Sequence, residues 1–407
     1  MVCGKYRFNR RKICGIYELN NRKADMTWIH QQPDWPNFYW DHDALAVLLG
    51  DIRYRQGLLS GRTEKMRHDL QDEAVLETVT DDAVSTSHIE GELLSREDVR
   101  SSIARRLGIT QSFAKSRSRD IDGIVQVQLD ATKNFASPVT QERLFGWQGA
   151  LFPAGRRLSM VNTGDWRLPG SEPMQVVSGS YGREKVHFEA IQASLVPRNM
   201  ARLLDWIEHP LKQDPVIRSG VAHLWFLSIH PFDDGNGRLT RALSDLMLCR
   251  AESTSRRLYS VSTEIDNRRK HYYEALEQQQ RSSLDVTSWL KFYLECVHGA
   301  LLNADKTLGH IFSRALFWDK ATVHGLNDRQ KSVLSRFLEP DFQGYLNTSK
   351  YAVLAKCSPD TALRDIKDLV SDGLLIQNEA GGRSTSYRTT LETTLAKHQD
   401  TGPNPKL

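Results

Sequence analysis

The chain has 407 residues, a length that favours two or three domains over one. Hydrophobic residues make up 40% of it and charged residues 26%, which is typical of globular proteins and excludes collagen-like, disordered and disulfide-scaffold classes. The formal net charge is +4, but residues 1–25 hold seven Lys/Arg against two acidic residues, so the remainder is close to neutral. Bulk charge therefore gives no argument for nucleic-acid or membrane binding, and no apolar run reaches the roughly 18 residues of a membrane span.

The cysteines and the chain ends indicate a cytoplasmic protein. Five cysteines are an odd number, and they are widely spaced without a CxxC pair, which favours reduced thiols over disulfides or a zinc site. Residues 1–25 are basic but lack the apolar core of a secretory signal, so we expect either a basic tail without a fixed fold or the product of an early start codon before Met26. Residues 391–407 are expected to form a second tail.

Helical periodicity dominates the chain. Apolar residues recur at helical spacing over 43–107, and a new helix is predicted to begin at Asp81 and Asp82, because acidic residues suit a helix N-terminus. Ser95 is expected to cap the next helix and Gly108 to end it. Further helices are predicted at 121–135, 191–207, 216–229, 238–251, 269–280 and 286–302.

At one place before the C-terminal region the spacing of apolar residues changes from helical to the alternation typical of a strand. Residues 174–177 and 185–188 are predicted to be short strands joined by a loop that contains glycines, and together they form a β-hairpin.

A separate unit follows residue 320. Its pattern is typical of a winged helix, with helices at 330–338, 349–355 and 360–370 and strands near 374–376 and 384–387. The third helix holds Arg364 and Lys367 but also Asp360, Asp365 and Asp368, so it presents no basic face. Phosphate contacts normally need clustered Lys/Arg, so a structural or protein-docking role is favoured over DNA binding.

The most informative stretch is His230-Pro-Phe-Asp-Asp-Gly-Asn-Gly-Arg-Leu-Thr-Arg241, which lies between two apolar helical patterns. Gly235, Asn236 and Gly237 come directly before a helix, and amides at a helix N-terminus are suited to hold a phosphate. Glycine also permits backbone conformations that other residues avoid. The pattern therefore predicts a phosphate-binding loop.

Charged residues of this loop extend the prediction. Arg238 and Arg241 share one face of the first helical turn, where two cations oppose the helix dipole and therefore indicate a bound external anion. Asp234 is a hard oxygen ligand that can hold Mg²⁺ between phosphates. His230 can take a proton from an attacking hydroxyl near neutral pH.

Two other interpretations of the loop stay open when its residues are considered one at a time. Glycine, Asp and Asn after His-Pro also form an ordinary solvated connection between helices. A transition-metal site with His230, Asp233 and Asp234 is the second, although it lacks the further His or Cys ligands that such sites usually have. The joint pattern of His, acid, Gly-Asn-Gly and two Arg favours the phosphate loop over both.

At every specified position, residues 230–241 match the Fic family signature HxFx(D/E)GNGRxxR, and the chain resembles that family over roughly residues 27–390. Residues 224–232 are similar to the helix that leads into the signature, and the hairpin at 174–188 is similar to the target-binding flap. Thr86-Ser-His-Ile-Glu-Gly91 resembles the family's inhibitory motif (S/T)xxxE(G/N). A terminal winged helix resembles one bacterial subgroup.

The resemblance implies a protein adenylyltransferase that moves AMP from ATP to a Ser, Thr or Tyr hydroxyl of a target protein and releases pyrophosphate. The implied roles are general base for His230 and Mg²⁺ ligand for Asp234. The others are α-phosphate cradle for Gly235, Asn236 and Gly237, binding of the outer phosphates for Arg238 and Arg241, and target pairing for Val176 and Val177 in the flap. Tyr272 or Tyr273 lines an adenine pocket or is a packing residue.

The same resemblance implies auto-inhibition by Glu90. Thr86 and Glu90 are four residues apart and so share one helical face, and Gly91 ends the helix beside the carboxylate. Glu90 is expected to pair with Arg241 and occupy the place of the γ-phosphate. The alternative is an exposed surface carboxylate. Some relatives use this Glu to remove AMP, and the sequence neither supports nor excludes that activity.

We therefore predict a mainly α protein with a helical Fic core, a β-hairpin flap and a C-terminal winged-helix domain. The predicted boundaries are 26–110 for an N-terminal helical region with the inhibitory motif, 111–315 for the Fic catalytic core and 320–390 for the winged helix. Transfer of another phosphate-containing group, removal of AMP, and a nucleotide-sensing DNA-binding transcriptional regulator stay open as alternatives. A homodimer stays open too, and no membrane partner is expected.

Overall fold

The computed structural model describes residues 28–109, 119–152, 162–170, 173–179, 184–209, 212–338, 342, 344–378 and 385–390. The two expected tails, 1–25 and 391–407, lie outside these residues. The described chain is mostly helical, as predicted, and it forms two compact units divided between Ala304 and Asp305. No helix in the described ranges is both long and apolar enough to cross a membrane.

The first unit contains a hairpin among many helices. Its strands are β1 (Gln175–Ser178) and β2 (Lys185–Glu189). Its helices are α1 (His42–Glu64), α2 (His68–Ile89), α3 (Arg96–Leu107), α4 (Arg119–Lys133), α5 (Gln141–Leu151), α6 (Val196–Glu208), α7 (Pro215–Ile229), α8 (Asn236–Glu252), α9 (Val261–Asn267) and α10 (Arg269–Gln280). Helix α11 (Thr287–Thr322) spans the division between the units.

Helices α7 and α8 form the centre of this unit. Residues 219–229 of α7 and 238–249 of α8 are all buried, so both helices are covered nearly all round. A helix that is buried on every face belongs to the core rather than the surface. The connection between them, residues 230–235, is therefore held at both ends by helices of the buried core.

Helix α2 differs from the prediction. It runs without a break through Asp81 and Asp82, and the chain turns earlier, between α1 and α2 at residues 65–67. The acidic residues have tertiary partners that replace a helix N-terminus: Asp81 accepts from Arg96, and Asp82 accepts from the buried Arg257. Buried acids are found where a cation balances them, and here that requirement outweighs their local helix-start preference.

Two helices of the first unit were not predicted. Helix α5 carries Gly146 and Gly149, which lower its helix propensity, yet Thr140 caps it by accepting from the Arg143 amide. Helix α9 is only seven residues long, too short for a clear periodic pattern. Helix α11 also continues well beyond residue 302, where the prediction ended.

The hairpin is antiparallel, as predicted, with a register shift between Val176 and Val177. Phe188 of β2 packs edge-on against Trp28, with ring centroids 5.5 Å apart, so the N-terminal segment supports the hairpin. On the other side, His187 contacts Glu277 of α10 at 2.5 Å and Ser178 at 2.5 Å. His187 therefore ties the two strands to a neighbouring helix. The hairpin loop, 180–183, lies outside the described residues.

The second unit has the element order predicted for a winged helix. After the end of α11 come α12 (Asp328–Phe337), α13 (Thr348–Ala355) and α14 (Pro359–Ser371), followed by the antiparallel pair β3 (Leu375–Gln377) and β4 (Tyr387–Thr389). The loop between the strands, 379–384, is outside the described residues. Asp365 of α14 is buried and accepts from Arg329 and from the Tyr351 hydroxyl, so of the three acidic residues noted in this helix it is one that packs inside the unit.

Candidate functional site

His230 stands at the junction of α7 and the loop. It ends α7 in a left-handed conformation with φ of 53°, which is uncommon for a residue other than glycine, and its amide donates to Phe226 O at 2.9 Å. Arg167 donates to the His230 carbonyl at 2.8 Å. The backbone of the histidine is thus fixed from both sides, which fixes the origin of its side chain.

The loop after His230 closes on itself. The Asn236 side chain accepts from the Phe232 amide at 3.0 Å and donates to the Phe232 carbonyl at 2.8 Å. Gly235 has φ of +90°, and a Cβ there would lie 3.0 Å from the Phe152 ring. The position therefore favours glycine for two reasons, the backbone conformation and the lack of space for a side chain. The amides of residues 235–237 consequently meet at the N-terminus of α8.

One cavity of about 760 Å³ brings most of the predicted site residues together. Its walls come from the loop, α8, the end of α2, the hairpin and α10. The predicted residues that line it are His230, Asp234, Gly235, Asn236, Gly237, Arg241, Glu90, Val176, Val177, Tyr272 and Tyr273. Thr86 and Arg238 stand directly behind this wall through their contacts with Arg241 and Asp234.

The guanidinium of Arg241 is held by the end of α2. Its Nε donates to Thr86 Oγ1 at 2.6 Å, and its Nη2 donates to the Thr86 carbonyl at 3.0 Å and to Glu90 Oε1 at 2.7 Å. The Arg241 side chain is 2% exposed and that of Glu90 is 27% exposed. Burial alone raises the pKa of Glu90, but the guanidiniums of Arg241 and Arg238 outweigh it and hold that pKa below its usual value. Glu90 is therefore an ionised partner of Arg241.

The Glu90 carboxylate also lies directly over the phosphate loop. A Cβ built on Gly237 would be only 2.1 Å from Glu90 Oε1. The carboxylate thus fills space beside the amides at the N-terminus of α8. An anion of the chain itself stands in the place for which an external anion was expected.

Arg238 has a partner that the sequence analysis missed. Its Nη1 donates to Glu92 Oε2 at 2.9 Å, and its guanidinium lies over the Phe152 ring at 5.2 Å. Asp234 Oδ1 is farther away, at 3.8 Å from Nη2. The sequence did contain a signal for this contact. Glu92 is a second acidic residue close to Glu90, and Arg238 and Arg241 are two cations that call for two anionic partners.

His230 is suited to accept a proton. Burial, with a contribution from the positive charge of Arg167, lowers its pKa to about 4, so its imidazole is neutral over the physiological range. Asp234 binds the Gly235 amide at 2.6 Å, and its side chain is half exposed toward the cavity. Within the described ranges no three His, Cys, Asp or Glu residues come together as a metal-ligand group.

The two tyrosines of α10 have structural contacts. The Tyr272 hydroxyl is 3.0 Å from Nε2 of the buried His223, and the Tyr273 hydroxyl donates to the Ile89 carbonyl at 3.1 Å. Both rings still line the cavity. The contacts favour the packing interpretation for Tyr272 and make Tyr273 a support for the end of α2.

A second ionic contact joins α2 to α8 away from the cavity, and we call Asp82, Arg257 and Asp245 the buried anchor. Arg257 Nη2 lies 3.1 Å from Asp82 Oδ2 and 2.5 Å from Asp245 Oδ1. All three side chains are 1–2% exposed. Burial raises the pKa of both aspartates, although Arg257 opposes the shift. No feature of the sequence pattern connected these residues.

Comparison with known proteins gives two family matches along the first unit. Residues 28–109 match the Domain of unknown function (DUF4172), which places the end of α2 inside that region. Residues 139–248 match the Fic/DOC family, and this range includes the hairpin, the loop and most of α8.

Relatives and solved structures agree with the second match. The chain is 35% identical over 66 residues to Protein adenylyltransferase fic-1 of Caenorhabditis briggsae, covering 16% of this chain and 13% of the relative. It is 31% identical over 104 residues to Protein adenylyltransferase Fic of Drosophila ananassae, covering 25% and 19%. The chain therefore spans less than a fifth of each of these relatives.

A crystal structure of a Fic family protein from Desulfovibrio desulfuricans G20 has the same fold, with a TM-score of 0.50 and 22% identity over 86% of this chain and 97% of that one. The family match, the relatives and the shared fold together confirm the resemblance that the loop motif indicated. The match to the Fic/DOC family is at residues 139–248 of this chain.

Proposed function

We propose that this protein is an adenylyltransferase that moves AMP from ATP to a hydroxyl side chain of a protein target and is inhibited by its own Glu90. The observation that carries the proposal is the shared cavity of a neutral His230, the amides at the start of α8 and the buried Arg241. Proton acceptor, anion cradle and fixed cation are the three groups that transfer to a hydroxyl requires.

The chain's residues divide the chemistry as follows. His230 Nε2 or Nδ1 accepts the proton of the target hydroxyl as its oxygen bonds to the α-phosphorus. The amides of residues 235–237 hold the α-phosphate, and the guanidiniums of Arg238 and Arg241 hold the outer phosphates that leave as pyrophosphate. Asp234 is the residue that would hold Mg²⁺, which supplies charge neutralisation between phosphates.

The hairpin suits the recognition of an extended target segment. Within the described residues, strand β1 pairs on one side only, with β2, so its other edge has backbone groups for an added strand. Val176 and Val177 of β1 line the cavity that contains His230. Pairing of a target backbone with β1 would bring a target hydroxyl to the histidine, which is recognition by strand addition.

Inhibition follows from the position of Glu90. Its carboxylate holds Arg241 and fills the space over Gly237, so an outer phosphate of ATP competes with it for the same cation. Release of Glu90 would free the guanidinium for the nucleotide. The support for this assignment is electrostatic and steric, and both effects act at the same place.

The experiment compares transfer from two labelled forms of ATP. In a Glu90→Gly background, label at the α-phosphate is expected to enter protein and label at the γ-phosphate is not. His230→Ala should reduce the α-label transfer by about 10²- to 10⁴-fold without a change in melting temperature, because the histidine moves a proton. Transfer of γ-label, or near-normal α-label transfer by folded His230→Ala, would overturn the proposal.

A further inference from the structure

The end of α2 carries two acidic residues around one glycine. Gly91 has φ of +84°, and the helix closes there because the Gly91 amide donates to the His88 carbonyl and the Glu92 amide to the Ser87 carbonyl, each at 2.9 Å. This left-handed turn is the common way to end a helix. It places Glu90 at the helix end and Glu92 just beyond, on one hydrogen-bonded turn.

Each of these two carboxylates binds a different arginine of α8. Glu90 binds Arg241 at 2.7 Å, and Glu92 binds Arg238 at 2.9 Å. The two arginines are three residues apart in the first turn of α8 and lie beside the same amides. One turn of α2 therefore neutralises both cations that stand at this helix N-terminus.

Arg238 is a cation with unsatisfied binding capacity. Its side chain is 7% exposed, and its Nε is buried with no hydrogen-bond partner among the described residues. A buried guanidinium is costly unless anionic partners satisfy it. Glu92 supplies one hydrogen bond through Nη1 only, so a group with several oxygens, such as a phosphate, would satisfy Arg238 better than the carboxylate does.

We propose that Glu92 is a second inhibitory residue, which occupies Arg238 while Glu90 occupies Arg241. The inference rests on the proposed nucleotide site, since it concerns the cation next to the one that Glu90 covers. The turn at Gly91 then blocks two phosphate-binding arginines at once. ATP gains full access to both only when the carboxylates of Glu90 and Glu92 leave them.

The two contacts differ in strength. The Glu92 side chain is 48% exposed, against 27% for Glu90. An ion pair with one partner half exposed is screened by water, so we expect Glu92 to change ATP affinity by about two- to fivefold. The change in ATP affinity should be measurable mainly in a protein without Glu90, because Glu90 by itself occupies Arg241.

The test measures ATP binding by calorimetry, in the full chain, with Glu92→Gln and with Glu97→Gln as the matched control. Glu97 is an exposed acid on α3 and, unlike Glu92, makes no ion pair with Arg238 among the described residues, so the same chemical change there reports a general charge effect. In the Glu90→Gly background, Glu92→Gln should tighten ATP binding about two- to fivefold and Glu97→Gln should leave it unchanged. In a Glu90→Gly, Arg238→Ala background, Glu92→Gln should have no effect.

The binding readout separates this inference from the proposed function. If Glu92→Gln tightens ATP binding and the gain disappears with Arg238→Ala, the inference holds even where no label reaches protein. Equal ATP affinity with and without Glu92→Gln in the Glu90→Gly protein overturns it, as does a gain that persists without Arg238. Melting temperatures confirm that all variants are folded, and the exposure of Glu92 makes misfolding of Glu92→Gln unexpected.

Discussion

Helix α2 meets the α8 region at two ionic contacts that differ in burial. In the buried anchor, Asp82 and Asp245 surround Arg257 with all three side chains 1–2% exposed. At the cavity, Glu90 binds Arg241 while 27% of the Glu90 side chain stays exposed. The first contact is sealed in the core, whereas the second faces the cavity. Helix α2 is therefore enclosed by the core at Asp82 and partly exposed at its end beside Glu90.

This difference indicates how Glu90 can leave without unfolding the protein. Glu90 lies eight positions after Asp82, which is about two helical turns. Opening of the last turn of α2 would break the contacts of Thr86 and Glu90 with Arg241 and leave the anchor intact. Helix ends open at lower free energy than core segments, so a local release is favoured over detachment of the whole helix.

The largest effect is expected at the buried anchor. Arg257→Met should lower the free energy of unfolding by about 3–5 kcal/mol, because it leaves two buried carboxylates without their cation. Urea denaturation of the variant measures it. Arg198→Met, at an exposed position of α6, is the control and should change stability little. Equal denaturation midpoints for the two variants would show that the anchor does not stabilise the fold.

Loss of the contact between Glu90 and Arg241 should change ligand affinity and not the stability of the fold. Glu90→Gly should tighten ATP binding by about 10- to 150-fold, the equivalent of one charge-assisted hydrogen bond of about 1.5–3 kcal/mol that no longer competes. Calorimetric titration measures the dissociation constant. In an Arg241→Ala background the same change should have almost no effect, because groups in contact act non-additively. Equal gains in both backgrounds would separate Glu90 from Arg241.

The third prediction concerns the metal. Asp234→Ala in the Glu90→Gly protein should reduce transfer by about tenfold or more and flatten its dependence on Mg²⁺, because Asp234 offers the carboxylate nearest the loop amides. Transfer is measured over a Mg²⁺ titration. Superimposable titration curves for the two proteins would remove Asp234 from the metal site.

The smallest effect is a displacement of the pH profile. A base works in its deprotonated form, and burial lowers the pKa of His230 to about 4. We therefore expect kcat/KM of the Glu90→Gly protein to stay nearly constant from pH 8 down to about pH 5.5 and to fall only as pH approaches 4. An acid limb centred near pH 6.5, the usual histidine value, would contradict the burial of His230.

The sequence predicted the parts of the site that lie close together along the chain. Residues 230–241 supply histidine, amides and arginines within twelve positions, and helical spacing alone relates Thr86 to Glu90. The contact between Glu92 and Arg238 joins residues 146 positions apart, so no local pattern reveals it. The family resemblance supplied the one long-range prediction, that Glu90 faces Arg241.

Tertiary contacts also explain where the fold prediction failed. Asp82 was predicted to start a helix because its partner, Arg257, lies 175 residues away and is not visible in the local sequence. Glycines at 146 and 149 hid α5, whose stability comes from the burial of Leu144 and Trp147. In both cases packing between distant segments outweighed the local preference that the sequence displays.

The most direct test of the account measures α-label incorporation from saturating ATP by the wild-type and Glu90→Gly proteins under matched conditions. Glu90 binds Arg241, the cation that we propose holds an outer phosphate of ATP, and it fills the space over Gly237, so its removal should increase incorporation. Most substitutions in an active site lower activity, and a gain therefore indicates relief of an obstruction. Incorporation by folded Glu90→Gly protein that is equal to or below the wild-type level would contradict the inhibitory role of Glu90.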